Sequence, residues 1–155
     1  MIAIDLLKHS PHMIPRCTEI WHEVLGKTWL PEVPLERVAQ RYSDHLNEEI
    51  LPLTFVAHES NRPVGMCSLR ENDGIRPDLT PWLGSLVVDS AYQKQGIGRQ
   101  LIDTIKNKAK ELGFRKLYLF AFDPTIPDYY ASLGWNKIGM DEYKGHPVTL
   151  MEILL

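Results

Sequence analysis

Residues 86–99 read LVVDSAYQKQGIGR and join a short apolar strand to the clearest helical pattern in the chain. The apolar residues of that pattern recur at three- and four-residue spacing; they are Ile97, Leu101, Ile102, Ile105, Ala109 and Leu112. Gly96 and Gly98 lie where the helix begins and carry no side chain that would block an approach to the backbone. Unpaired N–H groups and the positive end of the helix dipole bind anions such as phosphate at this position. The segment therefore predicts an anion-binding turn between a strand and a helix.

The glycine spacing excludes two familiar nucleotide-binding motifs. A dinucleotide-binding GxGxxG needs a third glycine, and Leu101 occupies that place. The chain also contains no GxxxxGKS or GxxxxGKT segment, which the phosphate loop of nucleoside-triphosphate-binding proteins requires. Neither of these folds is predicted.

Charge is distributed unevenly along the chain. The 17 basic and 20 acidic residues give a net charge of −3, but residues 90–116 alone carry +5 and the remainder −8. A nucleic-acid-binding domain usually has a broad basic surface and a high isoelectric point. The local basic charge beside the glycine turn therefore favours a small anion as partner and argues against nucleic acid.

The composition indicates one globular domain, residues 1–155, in a reducing compartment. Hydrophobic residues make up 44% and charged residues 24% of the chain, which is sufficient for a real core. No apolar run approaches the roughly 18 residues of a membrane-spanning helix, and the N-terminal residues lack the pattern of a secretion signal. Cys17 and Cys67 form no CxxC pair or disulfide framework. We therefore expect a cytoplasmic protein without a membrane partner.

The sequence before the turn predicts a strand, two amphipathic helices and a hairpin. An apolar segment at 2–7 precedes Ser10-Pro11, a helix-starting pair, and apolar residues spaced as in a helix follow up to Gly26. Pro34 begins a second helical stripe, which reaches Ile50. Further predictions are hairpin strands at 53–59 and 64–70, a loop at 71–81 and the strand leading to the turn at 82–88.

The sequence after the long helix predicts the rest of a mixed sheet. Gly113 is suited to cap the helix, and residues 117–122 form an apolar strand. Because a strand, a helix and a strand follow one another, the strands at 82–88 and 117–122 are predicted to be parallel. A short helix ending at Gly134 and a hairpin of residues 135–143 and 148–155 complete the chain. The predicted fold class is α/β, with a central mixed sheet flanked by helices.

Residues 93–98, QKQGIG, and residues 128–135, DYYASLGW, resemble two motifs of the GNAT superfamily of N-acetyltransferases. Gln93-Lys94-Gln95-Gly96-Ile97-Gly98 is similar to the family's pyrophosphate-binding motif, which is Gln or Arg, two residues, Gly, one residue, and Gly or Ala. Residues 128–135, DYYASLGW, resemble a later family signature of two aromatics, three residues, Gly and an aromatic. The resemblance covers residues 53–155 well and the N-terminal helices only by their order. It implies a GNAT-like fold in which a splayed parallel strand pair holds acetyl-coenzyme A (acetyl-CoA).

The resemblance also assigns roles to residues around the turn. Backbone amides from Lys94 to Arg99 would bind the pyrophosphate of the cofactor. The pantetheine would pair with the preceding strand, and the Leu86 N–H would stabilise the oxyanion that forms from the thioester carbonyl. The residues expected at the cofactor are Leu86, Val87, Val88, Gln93, Lys94, Gln95, Gly96, Ile97, Gly98 and Arg99.

The catalytic groups are less completely specified by the resemblance. Tyr130 matches the family tyrosine that serves the departing thiolate, whereas Tyr129 is expected to pack. Several relatives place a glutamate base on the strand before the turn, but Trp82 occupies the corresponding position. Asp123, which ends the second parallel strand, is the best remaining candidate for the base, with a turn or helix-capping role as the alternative. Further candidates are Glu23, Asp73 and Asp78.

These features predict an N-acetyltransferase that moves acetyl from acetyl-CoA to a primary amine by direct attack in a ternary complex. The net −8 outside the cofactor segment favours a small, cationic acceptor. Two alternatives stay open: a protein N-terminal or lysine acetyltransferase, and a non-catalytic module that binds acyl-CoA. The acceptor's identity and the oligomeric state, a dimer included, stay open as well. No metal site is expected because the six histidines show no paired ligand spacing, and Cys67 is expected to pack because it has no evident histidine partner.

Overall fold

The computed structural model describes residues 1–155 as a seven-stranded sheet with helices on both faces. The strands are β1 (Ala3–Leu6), β2 (Leu53–Glu59), β3 (Arg62–Arg70), β4 (Trp82–Val88), β5 (Lys116–Ala121), β6 (Asn136–Tyr143) and β7 (His146–Leu154). The helices are α1 (Ile14–Trp21), α2 (Lys27–Trp29), α3 (Leu35–Asp44), α4 (Ile97–Glu111) and α5 (Ile126–Ser132), and a π-helical segment at His22–Gly26 joins α1 to α2. The predicted mixed α/β fold is confirmed.

The strands follow the order β1-β2-β3-β4-β5-β7-β6 across the sheet. β4 and β5 are parallel, as predicted, and every other neighbouring pair is antiparallel. A crossover through α4 places β4 beside β5 at the centre of the sheet. The one parallel pair is therefore also the place where the two antiparallel halves of the sheet meet.

β4 and β5 separate soon after they meet. Their ladder contains one residue pair, Trp82 with Tyr118, next to a backbone hydrogen bond of 3.1 Å from the Tyr118 N–H to the Pro81 carbonyl. Ser85 and Leu86 also have no register partner on β3, on the other side of β4. The parallel strands therefore leave a V-shaped opening in the middle of the sheet.

A bulge in β4 changes which face its side chains occupy. Ser85 has a positive φ of 49°, which breaks the alternation of a regular strand. Leu83 and Val87 would share a face in a regular strand, but Leu83 packs in the core beneath α4 and Val87 in the opposite core beneath α1. The bulge thus lets one strand contribute to both cores on either side of the opening.

Two hydrophobic cores lie on the two faces of the sheet. On one face, the apolar stripe of α4 packs with β2, β3 and the end of the chain, and buried members of α4 include Leu101, Ile102, Ile105 and Ala109. On the other face, α1 and α3 pack on β2, β3 and β4, and buried members of these helices include Cys17, Ile20, Trp21, Val38 and Tyr42. The apolar residues that recur with helical spacing in the sequence therefore form the buried face of each helix.

The first helix differs from the prediction at both ends. It begins at Ile14, after a 3-10 turn at Pro11–Met13, because the Ser10 side chain makes no capping hydrogen bond. It also does not stop at Gly26 but continues through the π-helical segment into α2. The predicted end at Gly26 is therefore wrong.

The second helix ends at Asp44, six residues before the predicted limit at Ile50. Asn47 explains the difference, because its Nδ2 donates to the carbonyls of Asp44 at 3.3 Å and of Pro52 at 2.8 Å. The Asn47 side chain thus takes the place of the backbone N–H that would continue the helix at the Asp44 carbonyl. The helix therefore ends here, and the chain turns toward β2.

A buried chain of polar groups follows directly on α3. His45 is 3% exposed, and its Nδ1 lies 2.9 Å from the Thr54 hydroxyl, which is 2.7 Å from the Ser68 hydroxyl. Burial, together with Arg70 and Arg41, lowers the pKa of His45 to about 3. The folded protein therefore keeps this imidazole neutral where the unfolded chain, with a pKa near 6.5, begins to protonate it.

This difference predicts an acid-sensitive fold below about pH 6.5. The unfolded state binds a proton between pH 6.5 and 3 that the folded state does not, so His45 makes stability fall as the pH falls, by up to about 1.4 kcal/mol per pH unit. Urea unfolding at pH 7 and pH 5 measures the slope, and we expect His45→Asn to reduce it. An unchanged slope in the variant would show that other groups cause the acid sensitivity.

Candidate active site

A cavity of about 310 Å³ lies in the V between β4 and β5. Its walls come from both faces of the sheet: Leu83, Leu119 and Tyr130 belong to the core beneath α4, whereas Trp21 belongs to the core beneath α1. The rest of the lining is mainly apolar and includes Val24, Leu25, Trp29, Leu86, Phe120, Phe122 and Tyr143. The separation of the two strands therefore opens a passage from one face of the sheet to the other.

The π-helical segment shapes the wall on the α1 face. A Cβ atom at Gly26 would overlap the Trp21 ring, so this position must be glycine for the indole to keep its place. Trp21, Val24, Leu25 and Trp29 all line the cavity. A π turn often marks a functional site, and here its wider coil presents several large side chains to one space.

The glycine turn adopts the geometry that the sequence predicts. Gly96 has φ of 83° and precedes α4, and Lys94 also has a positive φ, of 63°. Gly98 lies inside the first turn of α4, where a Cβ would have only Val88 Cγ2 within 4 Å, at 3.9 Å. The protein itself therefore has room for a side chain at position 98. That space would instead admit a phosphate group against the free N–H groups of the first helical turn.

Side chains around the turn hold the end of β4. Gln93 Nε2 donates to the Val88 carbonyl at 3.0 Å. Arg16 of α1 binds Asp89 through a 3.0 Å Nη2 to Oδ2 contact, and Asp89 Oδ1 accepts from the Ala91 N–H at 3.0 Å. Two of the predicted cofactor residues, Lys94 and Arg99, have exposed side chains at the same turn. Gln93 therefore has a structural partner, while the basic side chains face solvent.

Tyr130 lies in α5 and lines the cavity. It is 6% exposed, and its ring packs edge-on against Trp135 with centroids 5.6 Å apart. Burial is the main cause that raises the pKa of the Tyr130 phenol above its usual value. Tyr129 also lines the cavity but is 44% exposed. Of the two adjacent tyrosines, Tyr130 is the one that presents a protonated phenol from the interior.

Asp123 lies just after β5 and lines the cavity near its α5 end. Its Oδ1 accepts from the Thr125 N–H at 2.9 Å and from the Thr125 hydroxyl at 2.7 Å. These two bonds lower the pKa of the carboxyl below its ordinary value. Asp123 therefore forms the turn that the sequence suggests as one of its two roles, and it also lines the cavity, while its role as the base stays a prediction.

The cavity also contains an ion pair, Arg70 with Asp73, which was not predicted as a pair from the sequence. Arg70, at the end of β3, donates to Asp73 over 2.6 Å and to the Ser85 hydroxyl over 3.1 Å. A Cβ at Gly84 would lie 2.9 Å from Arg70 Nη1, so this glycine makes space for the ion pair. Burial raises the pKa of Asp73, while Arg70 opposes that change. Arg70 thereby fixes the bulge in β4 and neutralises one of the two carboxylates in the cavity.

The other carboxylate candidates lie apart from the cavity wall. Glu23 Oε1 is 3.7 Å from Arg16 Nη1, and Asp78 forms a short pair with Arg76 at 2.8 Å; neither carboxylate lines the cavity. No group of three or more His, Cys, Asp or Glu side chains is arranged to hold a metal ion. No helix has the length and apolar character needed to cross a membrane.

The model of the acetyltransferase (GNAT) family matches residues 14–135. The chain belongs to the GNAT acetyltransferase family. This match confirms the resemblance seen in the two motifs and extends it to α1 and α3. The search of curated proteins gave no match.

Solved GNAT structures share the fold of the whole chain. An aminoglycoside 6'-N-acetyltransferase complexed with coenzyme A is 18% identical, with a TM-score of 0.74 over 99% of this chain and 96% of that one. The yncA protein of Salmonella typhimurium, solved with acetyl-CoA, is 18% identical, with a TM-score of 0.77 over 100% and 94%. The ribosomal-protein-S18-alanine N-acetyltransferase of Escherichia coli is 18% identical, with a TM-score of 0.74 over 99% and 94%. The GNAT fold therefore includes both N-terminal helices, which the motifs alone did not cover.

Proposed function

We propose that this GNAT protein transfers acetyl from acetyl-CoA to a primary amine of a small acceptor, by direct attack in a ternary complex. The observation that carries the proposal is the apolar cavity in the V between β4 and β5, whose walls come from both faces of the sheet. Two ligands that enter from opposite faces can meet in such a cavity. Neighbours of the same fold that contain coenzyme A or acetyl-CoA support the co-substrate.

The glycine turn supplies the anion site of this proposal. The N–H groups of Ile97, Gly98 and Arg99 precede the first helical hydrogen bond of α4, which Gln100 donates to Gly96, and the space beside Gly98 would admit a phosphate group. Lys94 and Arg99 add positive charge at the turn, whereas the remaining residues from Gln93 to Gly98 contribute backbone. Acetyl-CoA, when bound, supplies the acetyl group as an activated thioester.

The bulge of β4 supplies a hydrogen-bond donor at the point where the strands separate. Leu86 lines the cavity and has no register partner on β3, and β5 has already diverged. Val87 and Val88 continue the same open edge toward the turn. The Leu86 N–H is proposed to stabilise the negative charge that develops on the thioester oxygen.

Two side chains are proposed to move protons. Asp123 is ionised at neutral pH and accepts the proton of the acceptor ammonium, directly or through water. A tyrosine of ordinary pKa near 10 is protonated at neutral pH, burial raises the pKa of Tyr130 further, and the phenol is proposed to donate to the departing thiolate. Both residues line the cavity from the β5 and α5 side, so acid and base are supplied by adjacent elements.

Tyr130→Phe tests the acid. The ring and its packing against Trp135 remain, and only the donor is lost, so we expect turnover to fall about 100-fold with little change in acetyl-CoA affinity. Tyr129→Phe removes the neighbouring hydroxyl and is the matched control. Single-turnover rates compare the two variants. Equal rates near that of the wild type would mean that solvent protonates the thiolate.

The function itself is tested by thiol release from acetyl-CoA with a panel of amines that includes amino acids, aminoglycosides and short peptides. Calorimetry with CoA measures cofactor binding separately. Amine-dependent thiol release supports the transferase. CoA binding without release for any acceptor would instead favour a module that binds acyl-CoA, and release with peptides alone would favour a protein acetyltransferase.

A further inference from the structure

Arg41 is a charged residue on the buried side of α3. It follows Val38 by three positions and precedes Tyr42, and both of these residues are buried. Its guanidinium lies 5.9 Å from the centroid of the Trp21 ring, a cation–π contact that fixes it against the cavity wall. Arg41 lines the cavity between β4 and β5, although its helix contributes no other residue to that wall.

The charge of Arg41 is not balanced within the protein. The nearby Asp73 carboxylate bonds to Arg70 at 2.6 Å, and no side chain forms a hydrogen bond or ion pair with Arg41. Burial and the neighbouring Arg70 lower the pKa of Arg41, which means that its surroundings disfavour the cation. An anion bound beside Arg41 would therefore be stabilised by a charge that is already in place.

The location of Arg41 would place such an anion on the α1 and α3 side of the cavity, which we call the acceptor side. A second, more open cavity of about 360 Å³ shares Arg41, Arg70, Asp73 and Tyr143 with the first. These shared residues form the boundary between an apolar interior and a polar mouth. Arg41 thus lies on the α1 and α3 side, away from the glycine turn where the phosphates of CoA are placed.

Much of the rest of the acceptor side is aromatic. The Trp29 ring stacks on the Phe122 ring, with ring centroids 5.5 Å apart and ring planes 11° apart. The ring centroids of Tyr143 and Phe120 are 5.2 Å apart. Asp123 is the one carboxylate of the cavity that is not bonded to an arginine, and it lies at the end of β5. A molecule that suits these walls has an apolar body, an anionic group for Arg41 and an amine near Asp123.

We infer that the acceptor is an apolar amino carboxylate, whose carboxylate binds Arg41 and whose amine is acetylated. The inference rests on the proposed function and replaces the cationic acceptor that the overall charge suggests. A polycation such as an aminoglycoside would place several ammonium groups against aromatic walls and Arg41, with one free carboxylate to receive them. The net negative charge of the whole chain is therefore not a guide to the charge inside this cavity.

Steady-state kinetics test the inference with matched acceptors. The acceptors are L-phenylalanine, L-leucine and L-methionine, and each acid is compared with its own carboxamide. Kanamycin and the peptide Phe-Ala-Ala are tested as further acceptors. We expect kcat/KM to be at least about 10-fold higher for an acid than for its amide, and Arg41→Gln to reduce that ratio by about 10- to 100-fold. Arg37→Gln removes the same charge from the exposed face of α3 and should keep the ratio. Equal use of acid and amide, or preference for kanamycin or the peptide, would overturn the inference.

A binding measurement separates this inference from the proposed function. Trp21 and Trp29 line the cavity, so tryptophan fluorescence reports ligand entry without catalysis. In the presence of CoA, 3-phenylpropionate should bind more tightly than 3-phenylpropionamide, and Arg41→Gln should remove the difference. If the acid binds through Arg41 but no amine releases thiol, the anion site stands and the transferase proposal fails. Equal binding of acid and amide, or no saturable binding, overturns the anion site even when another amine is acetylated.

Discussion

Gly98→Val is expected to weaken acetyl-CoA binding by about 100-fold or more while the protein stays folded. A side chain at this position meets only Val88 within the protein, at 3.9 Å, so the folded state accommodates it. The same side chain occupies the space in which a phosphate would approach the first turn of α4. Two lost charge-assisted hydrogen bonds, at about 1.5–3 kcal/mol each, account for the expected loss of affinity. Calorimetric titration with CoA measures it.

The control for this variant is Gln100→Val. It places the same β-branched residue on the same helix, at an exposed position two residues later, so it reports the effect of a valine near the start of α4 that does not fill the proposed phosphate site. Thermal unfolding compares the stability of the two variants. Undiminished CoA affinity in a folded Gly98→Val protein would remove the anion site from the glycine turn.

Asp123→Asn is expected to lower turnover by about 10²–10⁴-fold at neutral pH. The asparagine carbonyl oxygen can still accept both bonds from Thr125, so the turn before α5 is kept and only the carboxylate charge is lost. Because Asp123 has a lowered pKa, its carboxylate is present across the neutral range, and the variant should recover partly as rising pH deprotonates the amine itself. Rates measured from pH 6 to 10, with acceptor saturating, follow this recovery.

The comparison for the base is Asp73→Asn. Asp73 is the other carboxylate in the cavity, but it is paired to Arg70 and its loss should affect stability and the bulge of β4. Asp123→Asn should therefore change turnover more than thermal stability, and Asp73→Asn the reverse. Full activity of Asp123→Asn across the pH range would transfer the role of base to Asp73 or to water.

The parts of the site that the sequence predicted depend on local spacing. The glycine turn, the helix that follows it and the strand before it lie within one stretch of chain, so turn chemistry and helical periodicity specify them together. The parallel pairing of β4 and β5 also follows from short-range order, because a strand, a helix and a strand leave one handedness of connection. Tyr130 was predicted from a motif of adjacent residues in the same way.

The acceptor side depends on contacts between distant segments, and of its charged residues Asp73 was named as a candidate from the sequence whereas Arg41 and Arg70 were not. Arg41 belongs to a helix, Arg70 to the end of a strand and Asp73 to a loop, and no local pattern brings the three together. One signal was present: Arg41 follows Val38 by three positions and therefore lies beside the apolar stripe that contains Val38 and Tyr42. A cation on the buried face of an amphipathic helix requires a partner, and a cavity is one way to provide it.

The helix ends were mispredicted for a related reason. Gly26 has the composition of a helix terminus, but the Trp21 ring packs over it and requires the missing Cβ. Packing between residues five apart therefore overrode the local preference of glycine to end a helix.

The single residue pair between β4 and β5 divides the main-chain ladder of the sheet into two parts. One part comprises β1 to β4 and the other β5, β7 and β6, and the two are connected mainly by α4 and by side-chain packing, with few backbone hydrogen bonds between them. A bound thioester chain that bonds along the open edge of β4 would add rungs where the protein has none. At 100 times its Kd, a ligand that binds only the native state adds about 2.7 kcal/mol to stability. Under the proposed function, the mechanical continuity of the sheet across this gap would therefore depend on the concentration of the co-substrate.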